Sequence, residues 1–286
     1  MTLYGAVEIG GTKTDVAFGT SPDDMSEPLR IATTGPEETL SRVFEVLAAE
    51  EISAVGVACF GPLQLSPTNP AFGTMLATPK AGWSGAAIYE RFAEVSPGPV
   101  SLDTDVNGAA IGEGRWGAAQ GMSDYVYMTV GTGIGAGVVV RGHPVRGEHH
   151  PEAGHIPVTR QPGDGYQGGC PYHGHCLEGL AAGPALESRF GSPDTWPGND
   201  VVVDLATYYV AQGVVSLVYT VAPARVIVGG GVSSLPGFHD RLRHHVLILL
   251  GGYPDEPDID LLVSPPGLGT RSGLAGALAM AADAVR

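Results

Sequence analysis

The stretch CPYHGHC, Cys170 to Cys176, sets two cysteines and a histidine at CxxHxxC spacing, with a further imidazole at His175. Thiolates and imidazoles are the soft and borderline donors that tetrahedral zinc takes, and upstream His155 supplies a fourth. Spacing alone leaves three readings open: a zinc site, a loop of free thiols, or a disulfide. With three cysteines the chain has no disulfide framework. Four protein ligands would close the coordination shell, so a metal here is structural and activates no water.

A second chemistry lies in the glycine turns. EIGGTKTD puts Gly10, Gly11, Thr12 and Lys13 directly after an apolar run, where bare backbone N–H groups, a hydroxyl and an ammonium suit an anion. TVGTGIGAG repeats the composition with Thr132 and Gly133, and VGGGV offers Gly230 and Gly231. The P-loop spacing GxxxxGK[ST] is absent, and any one of these turns alone is equally a tight hairpin. Three at strand ends point to a nucleotide, with two turns on phosphates and one on the adenosine.

A third lies in SLDTDVNG, read as a strand ending near Asp103 and a helix beginning near Asp105. Free N–H groups and the helix dipole stabilise a carboxylate there, and either aspartate could simply be the N-cap. Beside phosphate turns, the same carboxylate suits a base that takes the proton of an attacking hydroxyl.

The elements that must position these groups read as α/β. Strand signals LYGAVEI, DVAFG, LRIATT, AVGVACF and PVSLD surround a helix from Glu37 whose Leu40, Val43, Phe44 and Leu47 form one apolar stripe. YVYMTVG, GAGVVV and ARVIVGGG follow, with helices expected near 178–190, 201–220 and 236–249. Strand, glycine turn, strand occurs twice, so the layout reads as duplicated: two related lobes facing across a cleft. Residues 141–177, rich in Gly, Pro and His, are a long functional or metal-organised loop. The connector is GSPDTWPGND, and the last helix, RSGLAGALAMAADAV, is small enough to pack tightly.

Composition narrows the classes. In 286 residues, 43% are hydrophobic and 16% charged, an ordinary folded chain. A net charge of −15 offers no basic footprint for nucleic acid. No targeting segment is evident and no segment is expected to span a bilayer, so a cytoplasmic location follows. Cys59 reads as a buried thiol.

EIGGTKTD, TDVNGAA, VGTGIGAGVV, HPEAGHI, CPYHGHCLEG and VGGGV, in this order from Tyr4 to Ala279, resemble a ROK-family sugar kinase. Glu8 where many members have Asp, TPKAGW at 78–83, and Thr104 before the catalytic position are most similar to its bacterial zinc-containing fructokinases. The resemblance implies a two-lobed actin-like ATPase, or ribonuclease H-like, α/β fold with an inter-lobe cleft. It implies ATP with Mg²⁺, a structural Zn²⁺, and transfer of the γ-phosphate to a hexose, D-fructose giving fructose 6-phosphate. A glucokinase, mannokinase or broad hexokinase is the alternative within the family, and a silent sugar sensor the alternative outside it.

Carried over by position, Asp105 is the base. Gly61, Pro62, Thr104, Asn107, Glu152, His155 and Glu178 belong to the sugar, with Asn107 supporting the base from the same turn. Gly10, Gly11, Thr12, Lys13, Thr132 and Gly133 surround the phosphates, and Gly230 and Gly231 approach the adenosine. The resemblance makes His155, Cys170, His173 and Cys176 the zinc ligands, with His175 the alternative to His173. His155 binds metal through one nitrogen and offers the other to a hydroxyl. Glu8 could hold a magnesium water. Lys80 is expected as a solvated loop residue, or else a sugar or phosphate contact; Trp83 as core or pocket wall. His149 and His150 are expected at solvent or the pocket rim, and His244 and His245 as packing or interface residues.

Residues 1–113 with the helix 271–286 are expected to form the smaller lobe, and 114–270 the larger, dimerising one. A homodimer is implied. The family's repressors carry a DNA-binding segment before the first strand, which this chain is expected to lack.

Overall fold

The computed structural model describes residues 3–253, 255 and 257–286; Met1, Thr2, Pro254 and Glu256 lie outside the described residues. Along the chain come β1 (Tyr4–Ile9), β2 (Lys13–Gly19), β3 (Leu29–Ala32), α1 (Pro36–Leu47), β4 (Ala54–Cys59), α2 (Ile88–Val95), β5 (Val100–Thr104) and α3 (Asp105–Trp116). The strands form one sheet in the order β3-β2-β1-β4-β5. Its first three strands are antiparallel, whereas β4 and β5 run parallel to β1.

Then follow β6 (Tyr125–Val130), β7 (Ile134–Val140), β8 (His143–Pro144), α4 (Leu177–Ala181), α5 (Gly183–Phe190), α6 (Asp200–Val221), β9 (Arg225–Gly229), α7 (Phe238–Leu250), α8 (Ile259–Leu262) and β10 (Val263–Ser264). The second sheet is ordered β10-β9-β6-β7-β8. Read from β8 it repeats the first: a hairpin, β6 with β7, flanked by strands parallel to its first member. The duplication expected from sequence is therefore topological. The chain ends in α9 (Ser272–Ala284).

Two compact units result, Met1–Gly121 with Pro144–Pro151 and Gly267–Arg286, and Met122–His143 with Glu152–Pro266. Residues 114–121, 144–151 and 267–270, assigned from sequence to the larger lobe, pack with the first unit. Buried Glu113 explains two of these segments, because its carboxylate accepts from Ala118 N, Gly267 N, Leu268 N and Ser272 Oγ at 2.6 to 3.0 Å.

Alternation along the strands sorts side chains by size in the first unit. Val55, Val57 and Cys59 of β4 join Leu40, Val43 and Phe92 in the core beneath α1 and α2. On the opposite face Ala6, Ala17 and Ala58 meet Leu274, Ala277 and Leu278 of α9. Small residues let α9 approach closely: a Cβ on Gly56 would stand 1.8 Å from Ala277 O, and one on Gly276 1.7 Å from Gly108 O. The alanine-rich last helix thus packs as its composition predicts.

The single helix predicted near 178–190 is two, broken at Ala182, whose extended backbone (ψ 159°) interrupts the turn. In the second unit α6 is long and apolar enough to cross a membrane, contrary to the sequence expectation. Its Val203, Leu205, Tyr209, Val210 and Val214 are instead buried in the core of that unit.

Candidate active site

In the first unit EIGGTKTD forms the β1–β2 hairpin, as one of its two readings held. Gly10 N donates to Lys13 O at 2.9 Å, and Thr33 N to Thr12 O at 3.0 Å. The space where a Cβ on Gly11 would stand is open, so this turn can present bare backbone. Lys13 extends from it and pairs with Asp15 at 3.1 Å. Behind the turn, Lys80 Nζ donates to Thr33 O (2.8 Å) and Trp83 Nε1 to Thr34 O (2.7 Å). Lys80 is therefore a half-buried brace rather than a solvated loop residue, and Trp83 is fully buried core.

β5 passes into α3 with no intervening loop, which puts Asp105 on the first turn of the helix. The cap is neither aspartate but Thr104, whose buried Oγ1 accepts from Asn107 N at 3.2 Å. Asp105 accepts from the Val106 amide at 2.9 Å, and burial raises its carboxyl to about 6 against the pull of that amide and its own. Glu8 stands in the same field: burial first, then the charge of Asp105, lift it to about 7 against the pull of Lys13. Such values keep Asp105 ionised at neutral pH yet basic enough to take a proton.

Asn107 does not support Asp105 directly. Its Nδ2 donates to Asp103 Oδ1 at 2.7 Å, and Thr104 N to the same oxygen at 2.8 Å. Asp103 is fully buried and its other oxygen is paired with Arg146. From the same segment, His150 is buried rather than at a rim, because its Nε2 accepts from Leu63 N at 3.0 Å. Burial lowers its pKa, which keeps that nitrogen an acceptor. Its ring also packs beside Gly61, next to Pro62. Residues 144–151 thus fasten both the turn from β5 into α3 and the Gly61–Pro62 turn. Nothing in the local sequence pattern reveals the Asp103–Arg146 and Leu63–His150 contacts, since each joins segments far apart in the chain.

In the second unit the other two glycine turns lie together. Val232 N donates to Val130 O at 2.9 Å, and Gly230, at φ +94°, packs so closely on Val130 that a Cβ would stand 2.5 Å from its carbonyl oxygen. Gly231 is exposed, with open space where a Cβ would go. Thr132 is exposed between Gly131 and Gly133. Glu178 Oε2 accepts from Ile134 N at 3.0 Å, immediately after this turn. The short helix Ala153–His155, which begins after Glu152, abuts the same place: a Cβ on Gly154 would stand 1.8 Å from Ile134 O. Thr132, Gly133, Glu152, His155, Glu178, Gly230 and Gly231 are thereby gathered within one unit.

The ligating atoms of His155, Cys170, His173 and Cys176 lie within 4.8 Å of one another. His155 Nδ1 is 3.7 Å from Cys170 Sγ and 3.6 Å from Cys176 Sγ, and His173 Nδ1 is 3.7 Å from Cys170 Sγ. Zinc bonds of about 2.3 Å to sulfur and 2.0 Å to nitrogen at tetrahedral angles require such pairs to be about 3.5 Å apart. The donor set fits zinc, and all three cysteines are free rather than bridged. Burial, then the neighbouring Cys170 sulfur, pushes the Cys176 thiol up, a penalty that a bound cation would reverse. The cluster includes His173 and not His175. His155 faces both sulfurs with Nδ1, so Nε2 is the nitrogen outside the ligand set.

Residues 4–284 match the family model described as the ROK family. A fructokinase from Pediococcus pentosaceus is 38% identical over 289 residues, covering 99% of each chain. One from Zymomonas mobilis is also 38% identical, covering 98% of this chain and 96% of its own. Among solved structures, a ROK family glucokinase from Streptomyces griseus, in complex with glucose and AMPPNP, superposes with a TM-score of 0.81 at 27% identity, covering 98% of this chain and 99% of that one.

Proposed function

The chain belongs to the ROK family, and on that footing we propose that it transfers the γ-phosphate of ATP to the 6-hydroxyl of D-fructose. The fold is the two-domain actin-like ATPase fold of ROK sugar kinases. The observation that carries the substrate is the margin between relatives: 38% identity to whole-length fructokinases against 27% to the glucokinase structure.

The hydroxyl oxygen attacks the γ-phosphorus, its proton passes to Asp105, and the bond to the β-phosphate oxygen breaks to release ADP. Phosphoryl transfer depends mostly on positioning and charge stabilisation. The turn at Gly10, Gly11 and Thr12, with Lys13, and the turn at Thr132 and Gly133 hold the phosphates, which arrive with Mg²⁺; Gly230 and Gly231 take the adenosine. Glu152, His155 and Glu178 hold sugar hydroxyls, and Gly61, Pro62, Thr104 and Asn107 shape the sugar side. His155, Cys170, His173 and Cys176 would hold a structural zinc, which would stiffen the loop and leave the chemistry to the side chains. A cytoplasmic homodimer completes the proposal, and the free thiols suit a reducing compartment.

A coupled assay for ADP with fructose, mannose and glucose tests it. Highest kcat/KM on fructose is expected; turnover of glucose with none of fructose removes the substrate assignment.

A further inference from the structure

Glu178 stands on the first turn of α4, two residues after Cys176 of the metal cluster. The start of α4 is built into the metal-bearing loops: Leu177 N donates to Ile156 O at 3.0 Å, and Cys176 bridges to Pro157. On the far side, Gly169 N donates to Gly179 O at 2.8 Å. The position of the Glu178 carboxylate is therefore set by the segments that carry His155, Cys170 and Cys176.

That carboxylate reaches the glycine turn between β6 and β7. Oε2 accepts from Ile134 N at 3.0 Å and lies 2.8 Å from where a Cβ on Gly133 would stand. Ile134 is buried, so its amide has little access to water as a substitute partner. Gly183 N holds the other end of the turn through Gly131 O at 2.7 Å. The turn is thus clamped from both ends by elements that follow the metal loop.

We propose that Glu178 is a positioning residue for the nucleotide, transmitting the order of the metal-bearing loop to the turn at Gly131, Thr132 and Gly133, besides offering its second oxygen to the sugar. This rests on the reading of that turn as a phosphate cradle. A single carboxylate serving both ligands couples them, and the coupling must be reciprocal in binding free energy.

The test uses the full-length, zinc-loaded protein and the affinity for Mg²⁺ with a non-hydrolysable ATP analogue, titrated without sugar. Fructose affinity is measured separately. Glu178→Gln keeps an oxygen that accepts from Ile134 N, so analogue affinity should stay within about twofold. Glu178→Ala removes the acceptor and should weaken it about fivefold or more. Rescue by the amide is a pattern that general loss of packing does not produce. Gly133→Ala, which displaces the carboxylate from the turn side, should weaken the analogue in the same direction.

Wild-type analogue affinity in Glu178→Ala, even with fructose affinity lost, overturns the proposal and leaves the kinase reading standing. A wild-type protein that binds no analogue removes the phosphate-turn reading and the proposal with it. Should Glu178→Ala fail to fold, unchanged analogue affinity in Gly133→Ala overturns it.

Discussion

Replacing the proposed base by its neutral isostere, Asp105→Asn, should weaken catalysis and strengthen the fold. Burial raises Asp105 from 3.8 to about 6, so the folded chain binds this proton more tightly than the unfolded chain. The stabilising contribution is therefore fully present below about pH 4 and is lost as pH rises through 6. About two pKa units at 1.36 kcal/mol each give an upper bound of about 3 kcal/mol, reduced by the water that reaches a half-buried carboxylate. Asparagine carries no charge to desolvate and can still accept from Val106 N. Denaturant unfolding should make the variant more stable than the wild type at pH 8, by up to that amount, with the gap closing near pH 4. In the coupled assay kcat should fall by about 10² to 10⁴, the usual share of general base catalysis, while sugar affinity persists. A stability difference independent of pH would refute burial as the cause of the shift, and kcat near the wild-type value would remove Asp105 as base.

Metal analysis of His173→Ala and His175→Ala should show zinc lost from the first and retained by the second, since only His173 joins the ligand cluster; the reverse outcome would exchange their roles. Glu113→Ala should lower stability by several kcal/mol in urea unfolding, because three amides and the Ser272 hydroxyl lose a buried acceptor at about 1 to 3 kcal/mol each. A loss below about 1 kcal/mol would mean that solvent replaces it. Arg146→Met should destabilise by about 1 to 3 kcal/mol, less than a fully buried pair because the arginine side chain is 43% exposed. It should also lower kcat more than it raises KM, with partial recovery in Arg146→Lys; an unchanged kcat would separate Asp103 from the base turn.

By itself the sequence determined the longer strands, the three glycine turns and the duplicated layout, and it marked the candidate groups, because each is written in local patterning. Alternating valines and alanines in AVGVAC specify both faces of β4, and CxxHxxC confines three ligands to one loop. Local patterning also misled: a continuous helical signal concealed the break at Ala182, and DTD made either aspartate a candidate for the cap that Thr104 provides. Tertiary structure gives the two aspartates different surroundings. Asp103 is enclosed by Arg146, Asn107 and the Thr104 amide, while Asp105 accepts from backbone amides of its own turn. Only the fold brings His150 to Leu63, Glu113 to the start of α9, and Glu178 to Ile134. Each of these contacts joins residues 44 to 159 positions apart, a range over which no periodicity carries information, so burial and chain return alone decided which polar group met which.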